Sequence, residues 1–402
     1  AESVQRSDPR VALLQQKAGN YTLHDRRELL LIILQQLQSV VPRYRKLAEQ
    51  GQVELCMSPY AHPIIPLLLD MECAREAMPN VHLPITTDYP GGAARARWHI
   101  QHGLNTFVRF FGRQPAGLWP SEGGVSQAAL ELFAAAGFRW VASGGSVLRN
   151  SHDAQTTSCS HRLYRFGAAH IDCIFRDDGL SDLIGFTYAS WHAEHAVSNL
   201  IGHLENIAAV CPDRDDCLVS IILDGENAWE YYPENGYHFL RQLYTRLAEH
   251  PRLRLTTMEQ FLEKSPRPAP AGKLVAGSWV YGTFSTWIGD PDKNRAWELL
   301  VEAKKTFDEQ VALGKLAPDV IAEAEKQLAI CEGSDWFWWF GTYNPAATVG
   351  QFDQLYRMHL ANLYLLLNVE APTYLSEVIS RGGGNPSLGG VMRPHSENGD
   401  SE

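Results

Sequence analysis

From residue 53 to residue 257 the chain alternates short apolar runs with longer segments of helical spacing, and that alternation restricts it to one class of fold. The runs are VELCM (53–57), AGLW (116–119), FRWVAS (138–143), HIDCIF (170–175), CLVSIIL (217–223) and RLRLTT (252–257). Each has the length of a strand. Between them, the segments 92–111, 125–137, 193–209 and 236–249 place apolar residues three and four apart, the period of a helix packed on one face. Strands that alternate with helices pair in parallel, because each return to the sheet is made through a helix. The expectation is an α/β fold with parallel strands, preceded by a helix over 24–50 that stops at Gly51. Residues just after the strands then lie on the carboxyl face, where α/β barrels keep their active sites.

The pattern changes after SPRPAPAG (265–272). Beyond this proline-rich break, helical spacing covers 291–312, 317–331 and 350–368, with GSDWFWWFG between the last two. The organisation expected is therefore a catalytic domain over 1–264, a break at 265–272, a helical domain over 273–380 that contributes to the cleft, and a disordered tail over 381–402. That tail is rich in Gly, Ser, Asn and Pro.

A length of 402 residues suits one large domain with an appended one. With 46 acidic against 35 basic residues the net charge is −11, which argues against nucleic acid or an anionic membrane as partner and fits a neutral substrate. The most apolar run, LLLIILQQL (29–37), falls short of the roughly 18 residues of a membrane-spanning helix. Seven cysteines at irregular spacing, with no CxxC, read as reduced thiols and point to the cytoplasm. No cofactor or metal is expected: WHAEH (191–195) is neither HExxH nor HxxEH, and no GxxxxGK[ST] loop or nucleophile elbow occurs.

Several segments place reactive groups at strand ends. LWPSEGG (118–124) sets Glu122 directly after a strand, beside Trp119, with two glycines that permit a sharp turn. A glutamate opening a helix is also favoured by the macrodipole alone. In IILDGENAWEYYPENG (221–236) an apolar strand runs into Asp224, with Glu226 two residues on and Trp229, Tyr231 and Tyr232 following. Two acids near one another among aromatics have environments that push their pKa values apart, and flat rings suit sugar faces. MSPYAHPIIPLL (57–68) follows the run that carries Glu54 and holds His62. IFRDDGLSDLIGF (174–186) clusters Arg176, Asp177, Asp178 and Asp182, which salt bridges alone also explain. Eleven tryptophans concentrate in these segments and in the last third of the chain.

Taken in order, these motifs resemble glycoside hydrolase family 57, a family that acts on α-glucans. GQVELCMSPYAHPIIPLL is similar to its second fingerprint region, LWPSE to its third, LDGEN to its fourth and EGSDWFWW to its fifth, and GSWVYGTFSTWIG resembles the segment that supplies a further subsite tryptophan. The resemblance spans residues 25 to 375. It implies an incomplete (β/α)7 barrel followed by a helical bundle, and a retaining reaction with Glu122 as nucleophile and Asp224 as general acid/base. It also implies a functional acid at Asp335, substrate stacking at Trp336 and Trp279, and an α-glucan or maltooligosaccharide as substrate. The candidate substrate-binding residues are Glu54, His62, Trp119, Asp177, Glu226, Trp229, Trp279, Asp335 and Trp336.

Three features depart from the family pattern. The H-x-P-type first strand is not found, so a strand and a subsite histidine are expected to be missing, and the chain is expected to be a truncated record of a longer protein. Gly144 and Gly145 stand where relatives carry acids, and DGENAWEYY differs from the D-x-E-x-F-G form of glucanotransferases. Two other readings stay open: a non-catalytic glucan-binding homologue, and a different carbohydrate enzyme of α-mannosidase or deacetylase type. Oligomeric state, linkage preference and the choice between hydrolysis and transfer are not written in these motifs.

Overall fold

The computed structural model of the chain describes residues 8–151, 159–211, 215–225, 228–264 and 266–384. Helix α1 (Pro9–Lys17) is followed by α2 (Leu23–Glu49), which starts at a capping box between Thr22 and Asp25. Nearly all of the apolar side chains of α2 face outward. Only Ile32 and Ala48 are buried, while Leu30 and Leu37 are each 65% exposed. Helix α3 (Gly92–Phe111) lies where the spacing predicts it.

The sheet has five strands in the order β1-β2-β4-β3-β5. Strands β1 (Gly117–Leu118), β2 (Trp140–Ser143) and β4 (Asp172–Phe175) are parallel, and Met57 adds a parallel bridge to Leu118. Helices α4 (Gln127–Ala135) and α5 (Gly145–Ser151) follow β1 and β2 as βα units. The four successive parallel neighbours, at Met57, β1, β2 and β4, therefore point their carboxyl ends the same way.

The remaining strands extend this parallel set. Strand β3 (Tyr164–Phe166) runs antiparallel to β4. Too few residues separate β3 from β4 to hold a crossover helix, and a short link can only reverse the chain. The proline-rich break is not only a linker: Ala269–Ala271 within it forms β5, parallel to β3 at the end of the sheet. Proline is tolerated there because an edge strand has one row of backbone groups without ladder partners.

Two expected strands do not join the sheet. CLVSIIL runs alongside it as extended chain. Leu218 N–H donates to His161 O (2.9 Å) and Asp177 N–H to Ser220 O (2.8 Å), while β3 already occupies the place beside β4. In RLRLTT the Arg252 and Leu253 N–H groups go to His250 Nδ1 (3.2 and 3.0 Å) rather than to a neighbouring strand. Helices α6 (Asp178–Asp182), α7 (Ala193–Val210), α8 (Tyr237–Ala248) and α9 (Met258–Leu262) complete this part.

Beyond residue 272 come α10 (Pro291–Ala312), α11 (Pro318–Cys331), α12 (Ser334–Trp339) and α13 (Ala346–Leu366). These helices do not keep a core to themselves. One continuous cluster takes Leu118, Val141 and Phe175 from the sheet and Trp297, Leu328, Tyr356 and Leu360 from the helices. A second cluster joins Leu180, Tyr188, Leu200, Phe239 and Leu243 around α7 and α8. Within the segment expected to be a disordered tail, Gly383 and Gly384 both donate to Asn344 O at 2.9 Å. The rest of that segment, from residue 385, lies outside the described residues. Among the described residues no helix is long and apolar enough to cross a membrane, and none of the seven cysteines forms a disulfide.

Candidate active site

At the carboxyl end of β1 the chain continues as Trp119, whose N–H donates to Met57 O at 2.9 Å, and then makes a single tight turn over Ser121–Gly123. Glu122 sits in that turn with φ 56° and ψ 28°, a left-handed conformation that costs a non-glycine residue about 1–3 kcal/mol and persists only when neighbours enforce it. The enforcing residue is Trp279. Its backbone N–H donates to Glu122 O (3.1 Å) and its indole N–H to Glu122 Oε2 (2.9 Å). Trp119 packs edge-on against the Trp279 ring at 5.3 Å. Glu122, Trp119 and Trp279 are all partly exposed.

The segment carrying Trp279 is pinned from below. Val125 and Gly277 exchange backbone hydrogen bonds at 2.9 and 3.0 Å. At Gly144 a Cβ would lie 2.5 Å from Trp279 Cα, and at Gly145 it would lie 2.7 Å from Asp178 Oδ2 and 2.8 Å from Arg176 O. Neither position has room for a side chain: the backbone at Trp279 passes over Gly144, and Arg176 and Asp178 close on Gly145.

Asp224 ends the extended 217–223 segment and is partly exposed. That segment is held by Arg176, whose Nε donates to Ile222 O at 2.9 Å. Asp177 accepts from Leu180 N–H (2.8 Å), capping α6, and from His161 (2.7 Å). Burial acts to raise the Asp177 pKa, but these hydrogen bonds outweigh it and hold the group below its ordinary value.

The other candidates are dispersed. Glu54 accepts from the indole N–H of Trp140 (2.7 Å), the first residue of β2, and from Glu259 N–H at the start of α9 (2.8 Å). It therefore lies toward the end of the strands opposite to Glu122, where burial raises its pKa. Trp229 packs on Tyr232 (5.4 Å) and Phe239 (6.2 Å) beside the second core. Trp336 donates to Ile330 O (2.7 Å) and packs on Tyr356 and His359 of α13 (both 5.5 Å), while Asp335 beside it is exposed. Glu226 lies outside the described residues.

His62 is joined to the fifth-region segment by a ring of contacts that the motifs did not reveal. Its Nδ1 lies 2.8 Å from Ser334 Oγ, and its carbonyl accepts from Ser334 N–H at 2.9 Å. Two residues earlier in the chain than Ser334, the buried Glu332 meets Arg95 (2.8 Å), His99 (2.7 Å) and Tyr89 (2.6 Å). His99 in turn reaches Tyr60 O at 2.6 Å. Burial alone would raise the Glu332 pKa, but the Arg95 guanidinium and His99 bring it down to about 2. The one signal available for Glu332 was its place directly before GSDWFWW; Arg95 and His99 had none beyond helical spacing.

Acids and indole rings gathered at the carboxyl ends of parallel strands form the layout of a barrel-type enzyme. The family model described as glycosyl hydrolase family 57 matches residues 6–271, more than half of the chain, and the chain belongs to that family. It is a glycoside hydrolase-class enzyme by that membership. The fold is shared with solved structures at low identity. An α-amylase from Thermotoga maritima has 13% identity and a TM-score of 0.65, over 91% of this chain and 76% of that one. A branching enzyme of the same family from Thermococcus kodakaraensis, solved in complex with glucose, has 16% identity and a TM-score of 0.60, over 88% and 74%. A branching enzyme of that type from Pyrococcus horikoshii has 17% identity and a TM-score of 0.59, over 98% and 85%.

Proposed function

We propose that the chain is a retaining hydrolase or transglycosylase of α-1,4-glucans in which Glu122 is the nucleophile and Asp224 the general acid/base. The observation that carries the reading is the double hold of Trp279 on Glu122, which fixes a carboxylate on a strained backbone turn against an indole N–H. Strain of this kind concentrates at functional sites. The α-glucan substrate rests on the likeness to the α-amylase and branching enzymes.

In this reaction Glu122 attacks the anomeric carbon. The bond from that carbon to the leaving oxygen breaks as Asp224 protonates the oxygen. In the second half, Asp224 takes a proton from water or from an acceptor sugar hydroxyl, which attacks the same carbon and frees Glu122. Retention requires the two carboxyl groups to approach to about 5–5.5 Å. Trp119 and Trp279 would offer their faces to a glucose ring, whereas Trp336, with its N–H and ring engaged in the helical part, is assigned a lesser part in binding. Glu226 would tune Asp224. Seven cysteines at irregular spacing support a reducing compartment such as the cytoplasm.

The test is turnover of a chromogenic maltooligosaccharide. Glu122→Gln should lose several orders of magnitude, and Asp224→Ala should recover in part with azide on a substrate with a good leaving group. Near-normal turnover by Glu122→Gln overturns the assignment. Rescue in Glu226→Ala but not in Asp224→Ala reverses the two acids. A product profile from maltoheptaose separates hydrolysis from transfer.

A further inference from the structure

Arg176 follows β4 directly, and its side chain is only 5% exposed. Its contacts lead in three directions. The backbone N–H donates to Ser143 O (2.9 Å), and Ser143 Oγ donates to Gly123 O (2.6 Å), the residue after Glu122. The guanidinium lies 5.6 Å from the centroid of the Trp279 ring, whose N–H holds Glu122. On the other side, Nε donates to Ile222 O (2.9 Å), two residues before Asp224. Asp178 (3.1 Å) and Asp182 (2.7 Å) take the two terminal nitrogens and fix the plane of the group.

We propose that Arg176 is a positioning residue that sets the Asp224-bearing segment against the Glu122–Trp279 pair. The proposal rests on the assignment of those two acids. Its logic is that, among the described residues, the 217–223 segment joins no strand ladder. A strand within a sheet inherits its position from continuous pairing, but this segment relies on a few single contacts. One of them, at Ile222, is made by a group that is also stacked beneath the residue holding the nucleophile. Arginine suits the task because its planar fork meets a carbonyl and two carboxylates at once in fixed geometry. A lysine ammonium, a single point of charge, cannot span the three. Loss of the fork lets the two acids drift relative to one another, and a misplacement near 1 Å costs a reaction on the order of 100-fold.

The decisive comparison sets Arg176→Lys and Arg176→Met beside Glu122→Gln and Asp224→Ala, with kcat and KM measured separately on a good and on a poor leaving group. Arg176→Met should lower kcat about 100-fold with KM changed less than about threefold, on both leaving groups, since attack and protonation are both misaligned. Arg176→Lys should recover part of that kcat. Because Arg176→Met removes a buried charge facing Asp178 and Asp182 and can unfold, Arg176→Lys decides the matter if Arg176→Met does not fold. Wild-type kcat in Arg176→Lys, with both acid variants inactive, overturns the positioning role. A loss confined to KM also overturns it. If Glu122→Gln or Asp224→Ala stays active, the assignment of the acids fails instead, and the two failures are distinct.

Discussion

Trp279 holds Glu122 at two points, backbone to backbone at 3.1 Å and indole to carboxylate at 2.9 Å, across 157 residues of sequence. The two contacts do different work: the first keeps Glu122 in its left-handed turn, and the second aims the carboxylate. Trp279→Phe keeps the ring and the backbone contact and removes only the indole N–H. It should lower kcat about 10- to 100-fold, as loss of one aligned donor does, with little change in melting temperature. Trp279→Ala should in addition raise KM, because a ring face is lost. Steady-state kinetics with parallel thermal melts separate the two variants.

Gly144 is required by the close approach of Trp279, whose Cα would lie 2.5 Å from an added Cβ. Backbone stands in the way, so the cost cannot be relieved by turning a side chain. Gly144→Ala should displace the 277–282 segment and with it the partner of Glu122, and Gly144→Asp should be worse. The expected result is a loss of activity in Gly144→Ala larger than in Trp279→Phe, read from kcat on the same substrate. An active, stable Gly144→Ala would show that the segment gives way without disturbing Glu122.

Glu332 links stability to acid. Burial pushes its pKa up, but Arg95 and His99 outweigh that and leave it at about 2, below the ordinary 4.5. A depressed carboxylate contributes stability that is fully present above the unfolded value and is lost as pH falls through the folded one. Its contribution should therefore disappear between about pH 4.5 and pH 2. At neutral pH, Glu332→Gln leaves the Arg95 charge buried without its partner, at a cost of about 3–5 kcal/mol. Melting temperatures from pH 7 down to pH 2 should fall for both proteins, and the gap between them should close in that acid window. A constant gap would mean that Glu332 is not ionised in the fold.

Helix α2 presents Leu30, Ile33, Leu34, Leu37 and Val40 to the outside, each at least 44% exposed. Contiguous apolar surface of this kind drives association. The chain studied alone should associate with rising concentration, as sedimentation equilibrium would measure. Leu30→Glu with Leu37→Glu should reduce association while changing the melting temperature by no more than a degree or two, because neither side chain is in the core. A monodisperse monomer at high concentration in the unaltered chain would refute this.

The local sequence determined the helices. Helices α3, α7, α8, α10 and α11 begin and end within a few residues of their periodic patterns, because a helix satisfies its backbone within itself and its apolar stripe is written at a period of 3.6. Glu122 and Asp224 stood out as candidates because each follows an apolar run of strand length. Tertiary structure decided the partners. Strand β3 turned antiparallel because its link is short, β5 came from a segment that composition marks as a break, and 217–223 stayed outside the sheet because its place was taken. Glu54 found Trp140, Trp336 turned into the helical part, and Arg95 met Glu332 across 237 residues. None of these pairings leaves a mark in local periodicity, since a hydrogen bond between distant residues depends on which surfaces the whole chain brings together. The position of Trp279 over Glu122 is of the same kind: its motif named a tryptophan, and only the crossing of 277–282 over the end of β2 made it the residue that holds the Glu122 carboxylate.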